Sequence, residues 1–301
     1  MADSKKPIYT LMETARLSEN SGTGEQADMP ASGATLNRNA AKRSVFASSV
    51  YVLRHRRGVY VTAWVLTFGI VFLVSMVLEI LHISDPHRFG PLGTMNKFGG
   101  LSSALGFFAS VAGVLLATAG AVGTLGTGVL RNLVATGRSR MSFFFADLGA
   151  VILVVMQIIL PTLVILGVAS YFLRGHNFLG GGGELSFPDI LRADLWILLE
   201  VFVWTILAFG LANLFGSRSI AIGVTLLGEL VITSLLSAFS SYPGWRQAFV
   251  GVTLRQMTPA ALQPGATLNR IETGWQAAIV IVLWLIAALF LGARRAMSRE
   301  L

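Results

Sequence analysis

Residues 143–171 read FFFADLGAVILVVMQIILPTLVILGVASY, an apolar run whose one formal charge is Asp147. A helix needs about 20 mostly apolar residues to cross the hydrocarbon core of a bilayer. This run therefore predicts a span long enough to tilt, or to kink at Pro161, whose ring removes a backbone hydrogen bond. Five similar runs lie on either side of it, at about Val59 to Leu81, Leu101 to Val122, Leu195 to Leu214, Ser219 to Phe239 and Trp275 to Leu291. The chain as a whole is 54% apolar and 13% charged, where a soluble domain carries about 25% charged residues. Its 301 residues thus predict one all-α polytopic membrane protein with six transmembrane helices, not two soluble domains.

Orientation follows from the basic residues, because Lys and Arg accumulate on the cytoplasmic side. With the N-terminus inside, the tail and the inner connections hold sixteen of the 23 Lys and Arg residues. Both termini are then cytoplasmic, in agreement with an even number of spans, and the expected location is the cell (inner or plasma) membrane. The net charge of +8 follows from the same rule and implies no nucleic-acid partner. Residues 1–44 are rich in Ser, Gly, Ala, Asn and charge without periodicity and are expected to be a disordered cytoplasmic tail. They contain no apolar core segment, so no cleavable signal peptide is expected. In residues 45–57, Phe46, Val50 and Leu53 share one helical face, and Arg54, Arg56 and Arg57 crowd its end. That pattern suits either an interfacial amphipathic helix or the basic stem of the first span. Residues 58–301 form the six-span domain. Spans four and five meet at a tight turn, Phe215-Gly216-Ser217-Arg218. The outer segment at about 240–274 mixes an apolar stretch around Trp245 to Leu254 with Pro243, Pro259 and Pro264. It predicts a re-entrant segment of short helices that dip into the outer leaflet or cover the bundle top, because irregular backbone at membrane depth survives only when packed on protein or lining water.

Several kinds of chemistry are excluded. Without Cys there are no disulfides, thiol nucleophiles or Cys metal sites. A Walker-type phosphate loop needs Gly-Lys followed by Ser or Thr, yet Lys5, Lys6, Lys42 and Lys97 all lack a preceding Gly. Gly180 to Gly183 has no Lys after it. The chain is therefore expected to be no enzyme and to hold no cofactor of its own. His82, Asp85 and His87 lie close in one outer loop but lack the spacing of a metal motif, and no metal site is assigned.

Two acids fall near the middle of spans, Glu200 in the fourth and Glu229 in the fifth. An ionisable group at that depth costs at least about 2.5 kcal/mol on insertion scales and should face the bundle interior. Each is a candidate for a cavity wall, a polar substrate contact or a proton-linked site; a hydrogen bond to a neighbouring helix or a subunit seam is the structural alternative. In the second span Gly106, Gly113 and Gly120 recur every seven residues, a pattern that lets helix backbones pack closely in lipid.

The connection between the second and third spans reads Gly-Val-Leu-Arg-Asn-Leu-Val-Ala-Thr-Gly-Arg-Ser-Arg over residues 128–140. Gly128, Val129, Leu130 and Arg131, then Leu133, then Arg138, Ser139 and Arg140, followed by Phe143 to Phe145 at the start of the span, resemble the corresponding segment of type-2 ABC exporter permeases. The basic ending after the last span, around Arg294, Arg295 and Arg299, is also similar to that family. The family usually has an acid shortly before that Gly, absent from Gly123 to Thr127, and often a Lys where Asp147 stands. The resemblance implies that residues at about 126–140 form a coupling helix, with Gly128, Leu130, Arg131, Leu133, Arg138 and Arg140 contacting a separate ATP-binding-cassette ATPase. That partner would bind ATP and Mg. The resemblance also implies a second permease copy, as a homodimer or a paralogous pair, and an amphipathic cargo that is drug-like, lipid-linked or peptide. Two readings compete: an ion- or proton-coupled transporter using Glu200 and Glu229, and a non-transporting immunity or assembly protein.

Overall fold

The computed structural model describes residues 45–86, 88–89, 93–123, 139–173, 185–238, 244–259, 262 and 274–298. Every described element is helical. A first helix, α1, covers 45–55 and is broken from the next at Arg56, whose ψ of 67° leaves the helical region. Six helices are long and apolar enough to cross a membrane: α2 (Arg57–Ser84), α3 (Met95–Gly123), α4 (Arg140–Phe172), α5 (Phe187–Phe215), α6 (Arg218–Ala238) and α8 (Gly274–Ser298). Between α6 and α8 lie a 3₁₀ turn, Gly244–Ala248, and a short helix α7, Val250–Met257.

The helices run longer than the apolar runs suggest, for identifiable reasons. Helix α3 starts at Met95 because its polar first turns are packed; Phe98 is fully buried. Helix α5 opens at Phe187 with Pro188 in the first turn, where a missing N–H costs nothing. The Ser186 hydroxyl bonds the Asp189 carboxylate there. Helix α4 continues through Pro161, and Thr162 next to it donates its hydroxyl to Ile158 O at 3.0 Å. Helices α2 and α6 each contain one π-helical turn, Val65–Gly69 and Leu227–Ile232.

The helices pass between two ends. One is rich in arginine and gathers the start of α2, the end of α3, the start of α4, the α5–α6 turn and the end of α8. The α5–α6 turn is made by Gly216 at φ 68°, a left-handed conformation that favours glycine, and by Ser217, whose hydroxyl accepts from the Ile220 N–H. Helix α4 lies antiparallel to α5, with Phe144 against Phe209 at one end and Gly167 against Ile190 towards the other. Helices α3, α4 and α5 form the buried centre, while α2, α6 and α8 leave long apolar faces exposed.

Helix α5 is held against α8 by close backbone approach. A Cβ on Gly210 would fall 2.5 Å from Ala288 O, and one on Gly292 would fall 2.7 Å from Gly210 O. Neither can be relieved by turning a side chain, so Gly210→Ala should cost about 1–3 kcal/mol through overpacking. Gly223, with nothing within 4 Å, is the matched control. Gly223→Ala should be neutral or stabilising by up to about 1 kcal/mol, as helix propensity predicts. Thermal unfolding of both variants in the same detergent checks the contrast.

Candidate functional site

Glu200 and Glu229 line a single cavity of about 270 Å³ bounded by α3, α5, α6 and α7. The α5–α6 hairpin explains the meeting. Residues on either side of a tight turn pair in depth, and these two lie at similar distances from Gly216. On α5, Trp196, Glu200 and Trp204 follow at intervals of four, which places them on one helical face. On α6 the π turn carries Glu229 at its centre, and Thr233 closes it by donating to Gly228 O at 2.8 Å. Such turns are frequent at functional sites. Leu254 and Arg255 of α7, with Leu262 beyond it, complete the wall.

The floor and rim differ. Ser102, Trp196, Ile197, Trp204, Glu229 and Thr233 are buried, whereas Ser103, Phe107, Leu230, Ser234 and Arg255 are exposed and surround the mouth. Among the described residues, two buried atoms lining this space, Ser102 Oγ and Glu229 Oε2, make no hydrogen bond of normal geometry, with the Ser110 hydroxyl beside the Glu229 carboxyl. Among the described residues no ion pair joins Arg255 to either carboxylate. Two acids, one rim cation and unused hydrogen-bonding capacity make this the described cavity most suited to a polar ligand.

Helix α3 supplies Ser102, Ser103 and Phe107 to the lining, and its glycine stripe runs on from there. Gly106 faces Glu200, where a Cβ would stand 3.0 Å from Oε2. Gly113 faces Thr205, with 2.3 Å left for a Cβ, and Gly120 faces Val151 of α4, with 2.4 Å left. The stripe therefore serves two neighbours, α5 and then α4.

The insertion between α6 and α8 folds back over this end of the bundle. Val250 to Leu254 are buried, Trp284 of α8 donates its indole N–H to Ala248 O at 2.7 Å, and Ser103 donates to Leu262 O at 3.0 Å. A Cβ on Gly251 would collide with Thr233, so α7 sits directly on the π-bearing segment of α6.

Of the connector, Gly128, Leu130, Arg131, Leu133 and Arg138 lie outside the described residues. Its flanks are described, and both are tied. Arg56, at the break between α1 and α2, donates to Ala119 O and Gly123 O, each at 3.0 Å, which caps the last turn of α3 with a cation. Arg140, the first residue of α4, donates to Met297 O of α8 at 3.2 Å. Helix α1 packs along α4, with Phe46 lying against Gly149 and Arg54 donating to Gln157 Oε1, midway along that helix, at 2.7 and 3.1 Å.

Sequence reasoning passed over Trp196, Trp204, Ser102 and Arg255. The fourfold spacing around Glu200 was a usable signal for the tryptophans, whereas Arg255 reaches the cavity only through the folding of the insertion. It also passed over Asp194, whose Oδ1 is buried without a partner beside a separate space between α4 and α5. His82 Nδ1 is engaged by Phe89 O, Asp85 accepts from the Arg88 N–H at 3.2 Å, and His87 lies outside the described residues. Among the described residues no three His, Cys, Asp or Glu side chains gather as metal ligands would. No family model matches the chain, and no curated protein is significantly similar to it in sequence.

Two outcomes test this geometry. The chain has no Cys, so single cysteines report access cleanly. Ser234→Cys on the rim should react with a water-soluble thiol reagent at least about tenfold faster than Ser102→Cys on the floor, since reactivity follows thiolate formation and access. Arg56→Ala should destabilise the bundle by about 1–3 kcal/mol, the range for a charged hydrogen-bond donor, read as a lower unfolding temperature in detergent.

Proposed function

We propose that this chain is the membrane permease subunit of an ATP-driven exporter of the type-2 ABC class, working with a separate ATP-binding-cassette ATPase and a second permease copy. The reading is supported first by the six apolar helices, which begin and end at one arginine-rich end of the bundle. It is supported also by the connector sequence between α3 and α4 and by the lack of any phosphate loop in the chain.

The observation that carries it is the tethering of the connector's flanks. Gly123 is held through Arg56 to the α1–α2 break, and Arg140 is held to the end of α8. A partner pushing on residues 124–138 would act at once on α2, α3, α4 and α8. An inert topological loop needs no such ties. The two termini are then cytoplasmic, with ATP and Mg on the partner and the cargo passing through the membrane from the cytoplasm.

The test is coupling. With the ATPase and permease co-expressed in membranes, Arg131→Ala combined with Leu133→Ala should lower cargo-stimulated ATP turnover by about 10-fold or more, while permease abundance stays the same. Unchanged turnover removes the coupling role.

A second reading rests on a specific observation, the convergence of Glu200 and Glu229 on one cavity. Intramembrane acids mark proton relays in gradient-driven transporters. Uptake that follows a proton gradient without any ATPase, and disappears in Glu200→Gln with Glu229→Gln, would favour it over the exporter.

A further inference from the structure

We propose that the cavity between α3, α5, α6 and α7 binds an organic ammonium cation, with Glu229 and Glu200 as counter-charges and Trp196, Trp204 and Phe107 as aromatic walls. Three independent features of the lining converge on that chemistry.

The first is charge. The lining carries two carboxylates and one guanidinium. Arg255 is exposed on the rim, while Glu229 is only 9% exposed on the floor. When both acids are ionised, the excess of one negative charge lies on the inner, less hydrated side, where attraction to a cation is least screened. An anionic ligand would have to pass the rim arginine and then face both acids.

The second is the aromatic lining. Trp is the strongest cation–π partner among the side chains, and aromatic walls around an acid are the recurring solution for quaternary ammonium groups. The four-residue spacing Trp196, Glu200, Trp204 sets a carboxylate between two indoles on one helix face. A small inorganic cation would use only the oxygen-bearing side of this lining, whereas an organic ammonium also uses Trp196, Trp204 and Phe107.

The third is unused hydrogen-bonding capacity. Ser102 Oγ is fully buried and, among the described residues, makes no hydrogen bond of normal geometry, and neither does Glu229 Oε2. Both line the cavity. Leaving buried polar atoms unpaired is costly; an ammonium group bearing N–H would donate to both, and a quaternary one, which has no N–H, would still compensate Glu229 by its charge. A cavity of about 270 Å³ lies just under the roughly 300–1,000 Å³ of pockets that enclose a drug-sized molecule. It suits a cationic head, with an apolar tail leaving past Phe107 and Leu230 on the rim. The cation becomes cargo only on the exporter reading, whereas its binding needs only this cavity.

The experiment uses the purified full-length chain in dodecyl maltoside, without any ATPase. Benzyltrimethylammonium is titrated by calorimetry against neopentylbenzene, which replaces the charged nitrogen with carbon at the same shape. The cation should bind at least about tenfold more tightly than the neutral isostere, and Glu229→Gln should weaken cation binding by about tenfold or more. Trp204→Leu should weaken it as well. Equal binding of the two probes, or cation binding unchanged in Glu200→Gln combined with Glu229→Gln, overturns the site. The probe comparison on the unmodified chain needs no variant to fold. A short-chain phosphatidylcholine that competes with the probe, where phosphatidylglycerol does not, assigns the site to a lipid headgroup. Absence of competition by either assigns it to a free amine. If the cation binds and no ATPase drives its efflux, the exporter reading fails while the site stands.

Discussion

The backbone contacts of α5 are the constraint on which the bundle depends. In hydrocarbon, an apolar side chain gains nothing by leaving lipid for another helix, so association rests on close packing and hydrogen bonds. Helix α5 obtains close packing on both flanks. Gly113 of α3 admits Thr205, and Gly210 meets Ala288 and Gly292 of α8 at backbone distance. These contacts fix where α5 stands. They also fix where its face bearing Trp196, Glu200 and Trp204 points. The same stripe that holds α3 to α5 supplies the wall opposite Glu200, because Gly106 leaves the room that its carboxylate occupies. Packing and cavity are two consequences of one glycine register.

Much of this was legible in the residues. Apolar runs such as 143–171 mark helices because a backbone in lipid must satisfy its own hydrogen bonds, and six such helices are present. Helix ends were less legible. Hydropathy stops at the first polar residues, but Met95 to Gly100 and Phe187 to Asp194 stay helical because tertiary packing, not composition, decides those turns. The meeting of Glu200 and Glu229 could have been read from their near-equal distances to Gly216. The contribution of Arg255 could not. It depends on how residues 244–259 fold back, through contacts such as Trp284 with Ala248 and Gly251 with Thr233, which have no local sequence signature. The Arg56 cap on α3 is of the same kind: a basic cluster announces a membrane boundary, not which carbonyls it will bond.

The two ends of the molecule are joined by α3. Its last turn is capped by Arg56, and its earlier turns carry Ser102, Ser103 and Phe107 at the cavity, with Gly106 against Glu200. Gly106 and Gly123 are separated along the helix by about 26 Å, at 1.5 Å per residue. On the exporter reading, a push on the connector is delivered to the inner end of a rigid rod whose other end is a cavity wall. Because Thr205 sits in the notch at Gly113, such a push moves α3 and α5 together and does not slide one past the other.

Helix α6 is the wall with the least to lose. It is the shortest of the six spans at 21 residues. Its α-helical hydrogen bonding is already interrupted by the turn at Leu227–Ile232, and the Thr233 hydroxyl, not a backbone N–H alone, serves Gly228 O. Because Glu229 sits inside that turn, any change in its hydrogen bonding rotates the carboxylate relative to Ser102 and Trp204. Helix α7 presses on the same segment through Gly251, so motion of the insertion and orientation of Glu229 are mechanically one variable. Charge placement in the cavity is therefore set by the cover above it as well as by the helices around it.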